Sequence, residues 1–146
     1  LLRQLATPRL SELGQLGDSH DFVDIARQHP NVHELDGVLI LRPEEPLFFA
    51  NAETVFAHAR HRIEEHRDLH RVILSLEASP DFDSTVLEAL ADFAAWVAAR
   101  GLVLCIARLK DDARELLLRA GLPQLPERAL VYWSVADAAL APPASP

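Results

Sequence analysis

Apolar residues along the chain follow two kinds of pattern. Four short segments are almost continuously apolar, as in buried strands: residues 37–42, 71–76, 102–107 and 129–133. Three longer segments place apolar side chains at steps of three and four, the spacing of an amphipathic helix: residues 51–67, 84–100 and 110–120. Residues 47–50 follow a turn marked by two prolines and predict a hairpin with the first strand.

The order of these elements predicts an α/β fold. Strands that are apolar on both faces are typical of a parallel or mixed sheet covered by helices. Residues 1–17 show no sustained period and are interpreted as a linker, while the signal over residues 18–35 is weak. The domain is therefore expected to span residues 18–141, followed by a flexible tail at 142–146.

Composition excludes several classes of function. The 146 residues are 49% apolar, enough for one domain with a substantial core, and the net charge of -8 argues against nucleic acid as a partner. The longest apolar runs are too short to span a bilayer. Since the chain starts at Leu1 and lacks methionine, we expect it to be part of a longer protein. Cys105 lies in an apolar run and is expected to be reduced, buried and inert.

The principal candidate site is the loop SPDFDST, which joins the second apolar strand segment to a helix. Open α/β sheets usually place functional groups at such junctions. Asp83, Ser84 and Thr85 lack the glycine-flanked elbow and the nearby base that a serine nucleophile needs, so catalysis is not expected. Asp83 or Ser84 could cap the helix, and Thr85-x-x-Glu88 matches a capping box. The hydroxyl at this helix start also suits regulation by phosphorylation.

The other helix starts also carry polar side chains. Asn51 is predicted to cap the first helix and Asp111 the third, while Ser134-x-x-Asp137 predicts a capping box for a short final helix. Carboxylates at these starts disfavour phosphate or sulfate, and the five glycines form no phosphate-binding motif. No cofactor is expected.

A cluster of histidines is a candidate metal site. His66 and His70 have the four-residue spacing of a helical zinc pair, with Glu65 nearby. The predicted helix ends between the two histidines and no third ligand is evident. A solvated polar face is therefore expected, with no metal.

Aromatic residues of the second predicted helix form another candidate site. Trp96 lies nearly opposite the expected inward face, with Phe93 beside it. Two interpretations remain open. Either the amino-terminal segment or the final helix covers this pair, or the pair docks a partner.

Four blocks of sequence together resemble a known family. GVLILRPEEPLFFANAE, RVILSLEASPDFDSTVLEAL, LVLCIARLKDDARELLLRAGL and VYWSVADA occur in the order found in the STAS domain of SulP-type anion transporters. LGQLGDSHDFVDI, before them, resembles the segment that joins such a domain to its membrane part. LRPEEPLFFANAE is the most specific block, because soluble members of the wider superfamily do not usually share it.

The resemblance implies a four- to five-stranded mixed sheet flanked by helices, with no enzymatic chemistry. It further implies a domain on the cytoplasmic side of the bacterial inner membrane that regulates, assembles or traffics an anion transporter without inserting into the bilayer. The implied partners are the transmembrane domain of the same polypeptide, cytoplasmic regulatory proteins and other STAS domains.

The wider superfamily also contains anti-sigma factor antagonists, which supply the alternative function. Their phosphorylated serine follows an aspartate at the same strand-to-helix loop, which corresponds to Ser84 here. This chain carries Val86 where they usually carry glycine, which weighs against phosphorylation and leaves a protein-docking loop as the expectation.

Overall fold

The structure, a computed structural model, describes residues 8–142. The strands are β1 (Leu10–Leu16), β2 (Phe22–Asp24), β3 (Val32–His33), β4 (Val38–Pro43), β5 (Arg71–Ser75) and β6 (Val103–Ala107). The α-helices are α1 (Ala52–Glu65), α2 (Ser84–Ala99), α3 (Asp111–Ala120) and α4 (Val135–Ala139), with single 3-10 turns at Ile25–Arg27 and Glu127–Ala129. Among the described helices, none combines the length and apolar character needed to cross a membrane.

The strands form one mixed sheet, which confirms the predicted fold class. Its order is β2-β1-β4-β5-β6, and β3 pairs with β1 beside this path. β4, β5 and β6 run parallel, whereas β1 is antiparallel to β4, with Leu10 opposite Pro43. The carboxyl ends of the three parallel strands consequently meet at one edge of the sheet, hereafter the carboxyl edge. β1 begins at this edge, and helices α1, α2 and α3 start from the connections that leave it.

Three expectations about the elements are wrong. Leu10–Leu16, placed in a linker, is a strand inside the sheet. Residues 47–50 form a turn and not a hairpin strand, because the hydrogen-bonding edges of β4 are taken by β1 and β5. Residues 129–133 contribute a single bridge between Tyr132 and Ala107. In the last two cases a short apolar run shows burial but does not reveal which strand edge is free.

Helices cover the two faces of the sheet unequally. Helices α1, α2 and α3 contribute to a large core over one face, together with side chains such as Val72, Leu74 and Ile106. On the other face α4 packs on Ile73 and Cys105. Cys105 is buried, as predicted, and burial raises the pKa of its thiol, which suppresses the reactive thiolate.

Two buried serines near the carboxyl edge are expected to respond oppositely to removal of the hydroxyl. Ser75 Oγ is buried without a hydrogen-bond partner among the described residues, whereas Ser79 Oγ accepts a hydrogen bond of 2.9 Å from the amide of Leu47. Ser75→Ala should therefore leave stability unchanged or raise it by about 1 kcal/mol, while Ser79→Ala should cost about 1–3 kcal/mol by orphaning a buried amide. Urea unfolding of both variants tests this contrast, and equal losses would contradict it.

Candidate functional site

The loop after β5 presents its polar residues at the carboxyl edge, as the sequence predicted. Asp83 is the N-cap of α2, and its Oδ1 accepts a hydrogen bond of 2.8 Å from the amide of Val86. Of the two capping candidates, Asp83 and Ser84, the structure therefore selects Asp83. Ser84 is instead the first helical residue, and the Thr85-x-x-Glu88 capping box would require Thr85 at the N-cap position that Asp83 holds.

The hydroxyls of this loop are accessible but not activated. Ser84 is exposed and Thr85 is partly exposed. Among the side-chain hydrogen bonds of residues 8–142, none involves either hydroxyl, and the neighbouring carboxylate of Asp83 is engaged by the helix amide. A nucleophile needs a base within hydrogen-bond reach, and the carboxylate nearest in sequence is occupied by the Val86 amide.

Buried contacts hold the loop in place. Ser79 is 1% exposed and ties the loop to the turn after β4 through the amide of Leu47. Phe82 is buried in the large core one residue before the cap. Neither anchor was predicted from the sequence, although the Ser-Pro pair at the start of the loop is a turn signal that points to Ser79.

An ion-pair network links three strands at the carboxyl edge, and sequence reasoning did not find it. Glu77 lies between Arg42 at 3.6 Å and Arg108 at 3.5 Å. Arg42 also pairs with Glu44 at 2.8 Å, and Ser11 donates a hydrogen bond of 2.8 Å to the same carboxylate. Burial alone would raise the pKa of Glu44, but these hydrogen bonds outweigh it and lower the pKa. The ion pairs link β4, β5 and β6, and the hydrogen bond from Ser11 connects β1 to them.

The cap predictions for Asn51 and Asp111 are wrong. Asn51 occupies the N-cap position of α1 but makes no side-chain capping bond. Its amide group instead closes the preceding turn, accepting from the amide of Phe48 at 2.9 Å and donating to the carbonyl of Pro46 at 3.0 Å. Asp111 is the first residue within α3, and its carboxylate accepts a hydrogen bond of 3.2 Å from Arg114. Local turn geometry therefore decides how these side chains are used.

The proposed partner patch of Phe93 and Trp96 must be divided. Phe93 is fully buried, because α1 packs across α2 and places Phe56 with its ring centroid 5.0 Å away. Its assignment to an exposed patch is wrong, and among the described elements it is α1 that places an aromatic ring against it. Trp96 is partly exposed, with Arg100 over its ring at 4.7 Å, and its role in docking remains a prediction.

Of the histidine pair considered for zinc, only His66 belongs to the group of potential metal ligands that the fold brings together. His66 Nε2 lies 3.3 Å from Glu12 Oε2, and together with Glu34 they form a described group whose ligand atoms lie within 4.8 Å of one another. This group contains neither His70 nor Glu65. Arg62 also pairs with Glu12, at 2.9 Å. The Glu12 carboxylate therefore already belongs to an ion-pair cluster that needs no metal ion.

Asp83→Ala removes the cap of α2 and is expected to lower the free energy of unfolding by about 1 kcal/mol, because the amide of Val86 loses its acceptor. Asp83→Asn keeps an acceptor oxygen, so its free energy of unfolding should fall by only a small fraction of the loss in Asp83→Ala. Ser84→Ala provides a neighbouring control without a capping bond. Chemical denaturation measures all three, and an Asp83→Ala variant as stable as the parent would remove the assignment.

Comparison with known proteins agrees with the observed fold and sequence order. The family model of the STAS domain matches residues 29–138. A probable sulfate transporter of Mycobacterium tuberculosis is 32% identical over 126 residues, which cover 84% of this chain and 22% of that protein. The chain thus spans about a fifth of the length of the curated relatives it matches.

Two solved structures share the architecture. The murine Solute Carrier 26 family member A9 anion transporter, solved in the inward-facing state, superimposes with a TM-score of 0.82 at 22% identity, over 91% of this chain and 22% of that one. The STAS domain of a SulP transporter from Vibrio cholerae superimposes with a TM-score of 0.60 at 25% identity, over 77% of this chain and 85% of that one. With the family match over most of its length, the chain belongs to the STAS domain family.

Proposed function

We propose that the chain is the non-catalytic STAS domain of a SulP-type anion transporter, held at the cytoplasmic face of the bacterial inner membrane. The observation that carries this proposal is the 32% identity over 84% of the chain to a probable sulfate transporter. In that relative the matched region occupies only 22% of the protein, so a comparable parent would leave ample length for membrane helices. The anion would then be chosen by the membrane part, and this domain would regulate or assemble it through protein contacts.

The site geometry supports a contact role for Asp83, Ser84 and Thr85. A cap locks the backbone of the loop, and the two hydroxyls lie at its surface without internal partners among the described residues. A rigid, accessible polar loop suits recognition by another domain because little conformational entropy is lost on binding. In this proposal the loop forms part of the surface that cytoplasmic regulatory proteins or another STAS domain contact.

The proposed domain organisation follows from the position of β1. Since β1 is paired on both sides, the folded domain includes the strand that begins at Leu10, and the connection to the membrane part would precede it. At the other end the described chain finishes at Pro142, whose carbonyl accepts a hydrogen bond from Arg71. Residues after this contact would form the tail.

Deletion of the domain from the full-length parent tests the proposal. Removing residues 8–142 should reduce radiolabelled sulfate uptake into cells or change the oligomeric size of the detergent-solubilised protein. The purified domain should bind no nucleotide with micromolar affinity in calorimetry. Unchanged uptake together with unchanged assembly would contradict the regulatory role, and turnover of a substrate by the isolated domain would contradict its non-catalytic nature.

The exposed hydroxyl of Ser84 favours one second candidate, an anti-sigma factor antagonist switched by phosphorylation at that residue. A phosphate there would add up to two negative charges beside Asp83 and alter any docked surface. Mass spectrometry of the protein isolated from its own cells decides between the two. Phosphate on Ser84 of a free-standing soluble protein would favour the antagonist, whereas a membrane-bound parent without it favours the transporter domain.

A further inference from the structure

We propose that Phe48 and Phe49 dock into an apolar surface of the membrane part of the same polypeptide. This inference rests on the proposed function and assigns a partner to one feature of the carboxyl edge. These residues belong to the block LRPEEPLFFANAE, in which the sequence predicts a strand at residues 47–50. In the structure the two rings instead face outward and belong to neither hydrophobic core cluster.

The Phe48–Phe49 pair is an exposed aromatic surface. Phe48 is 47% exposed and Phe49 is 69% exposed, and their rings meet edge to face with centroids 5.6 Å apart. Phenylalanine has no polar group that gains from contact with water, so two adjacent exposed rings are unfavourable in an isolated domain. Exposed aromatic groups of this kind are typical of interfaces, where their burial stabilises the complex.

Hydrogen bonds on both sides hold the pair in this position. The side chain of Asn51 binds the amide of Phe48 at 2.9 Å and the carbonyl of Pro46 at 3.0 Å. Before the pair, Leu47 is buried and its amide donates to Ser79 at 2.9 Å. Because the flanking backbone is fixed, the exposure of the rings is a property of the fold. A preformed aromatic projection also loses little entropy on docking.

The first described residues lie at the same edge of the sheet as the segment that leads to this pair. Leu10 pairs with Pro43 at the carboxyl edge, and the amide of Glu44 donates to the carbonyl of Arg9 at 2.9 Å. The four residue-to-residue steps from Glu44 to Phe48 can span at most about 14 Å. A membrane part attached upstream of Arg9 would thus begin within a short reach of the pair. Such tethering raises the local concentration of the partner to the millimolar range, where a small interface suffices.

Charge near the pair favours a protein partner over the lipid surface. Three carboxylates lie within five residues of the two rings: Glu44 is paired with Arg42 and Glu45 with Arg9, whereas Glu53 has no ion pair among the described residues. Carboxylates are repelled by the anionic head groups of the cytoplasmic leaflet, so insertion of the rings into lipid would be opposed. An apolar pocket between the cytoplasmic ends of membrane helices, rimmed by basic side chains, would accept both the rings and their acidic surroundings.

Site-specific photocrosslinking in the full-length parent tests the inference. Phe49 is replaced by p-benzoylphenylalanine, membranes containing this variant are irradiated, and the crosslinked peptides are identified by mass spectrometry. Crosslinks should map to segments upstream of Leu1 in the same polypeptide. The same probe at Leu118, a 41% exposed position on α3, is the matched control and should not give these crosslinks.

The outcomes separate docking from the broader proposal. Crosslinks from position 49 to the STAS domain of a second copy, to lipid, or to no upstream segment would overturn the docking inference. If deletion of the domain also leaves uptake and assembly unchanged, the proposed function fails as well; if deletion impairs them, only the docking site is wrong. Phe48→Ser/Phe49→Ser should retain the melting temperature of the isolated domain but reduce uptake by the full-length parent several-fold.

Discussion

Replacing Phe93 by alanine is expected to lower the free energy of unfolding by about 3–5 kcal/mol, the range for an aromatic side chain removed from a packed core. Phe93 is fully buried and lies between α2 and α1, with the ring of Phe56 at 5.0 Å and that of Trp96 at 6.4 Å. Truncation would leave a cavity at this junction that rigid helices cannot fill. Urea unfolding followed by circular dichroism measures the loss.

The matched control is Phe49→Ala. The same side chain is removed, but Phe49 is 69% exposed, so the expected change is within about 0.5 kcal/mol. Equal effects at the two positions would show that α1 does not cover α2 in solution. This contrast also bears on function, because it separates an aromatic residue that stabilises the domain from one that is free to contact a partner.

Arg71→Met is expected to lower the free energy of unfolding by about 3 kcal/mol, because the substitution removes hydrogen bonds whose donor is charged. Arg71 is 6% exposed, and its guanidinium donates to the carbonyls of Ala138 and Ala141 at 2.9 Å and of Pro142 at 3.1 Å. These contacts hold the end of α4 and the residues after it against the first residue of β5. Methionine fills similar space but supplies no donor, so the carbonyls would lose their partner.

Local release of α4 gives this prediction a second measurement. Because α4 packs on Cys105, its detachment should make the thiol reactive toward a disulfide reagent, while the parent protein reacts slowly. Arg71→Lys retains one charged donor and should fall between the parent and Arg71→Met in both assays. Full stability with an unreactive thiol in Arg71→Met would show that the arginine does not hold α4.

Local signals in the chain account for the predictions that succeeded. The periodic apolar positions of α1, α2 and α3 indicated helices whose observed limits differ by at most two residues. Gly121 ends α3 in the left-handed conformation, as expected for a glycine after the last periodic residue. The cap by Asp83 also depends only on neighbours in sequence. These features involve groups within a few residues of one another, so the sequence contains the necessary information.

Predictions about faces and edges failed for a different reason. The apolar character of α2 extends over more than half of its circumference, so its pattern does not show which side α1 will cover, and Phe93 was assigned outward. Residues 10–16 lack a clear period because Leu10 and Leu13 are buried on opposite faces of the sheet, in the large core and against α4 respectively. Strand pairing then depends on which backbone edge of β4 remains available, a long-range property of the chain.

By itself, the sequence determined the α/β class, the three long helices, a cap of α2 at Asp83 or Ser84, and the family to which the blocks from residue 37 onward point. Only the tertiary structure decided that β1 completes the sheet, that Arg71 holds α4, and that Phe48 and Phe49 remain outside the core. The physical reason is one of range. Propensity and capping act between near neighbours, whereas burial and strand pairing depend on surfaces that meet only when distant segments pack together.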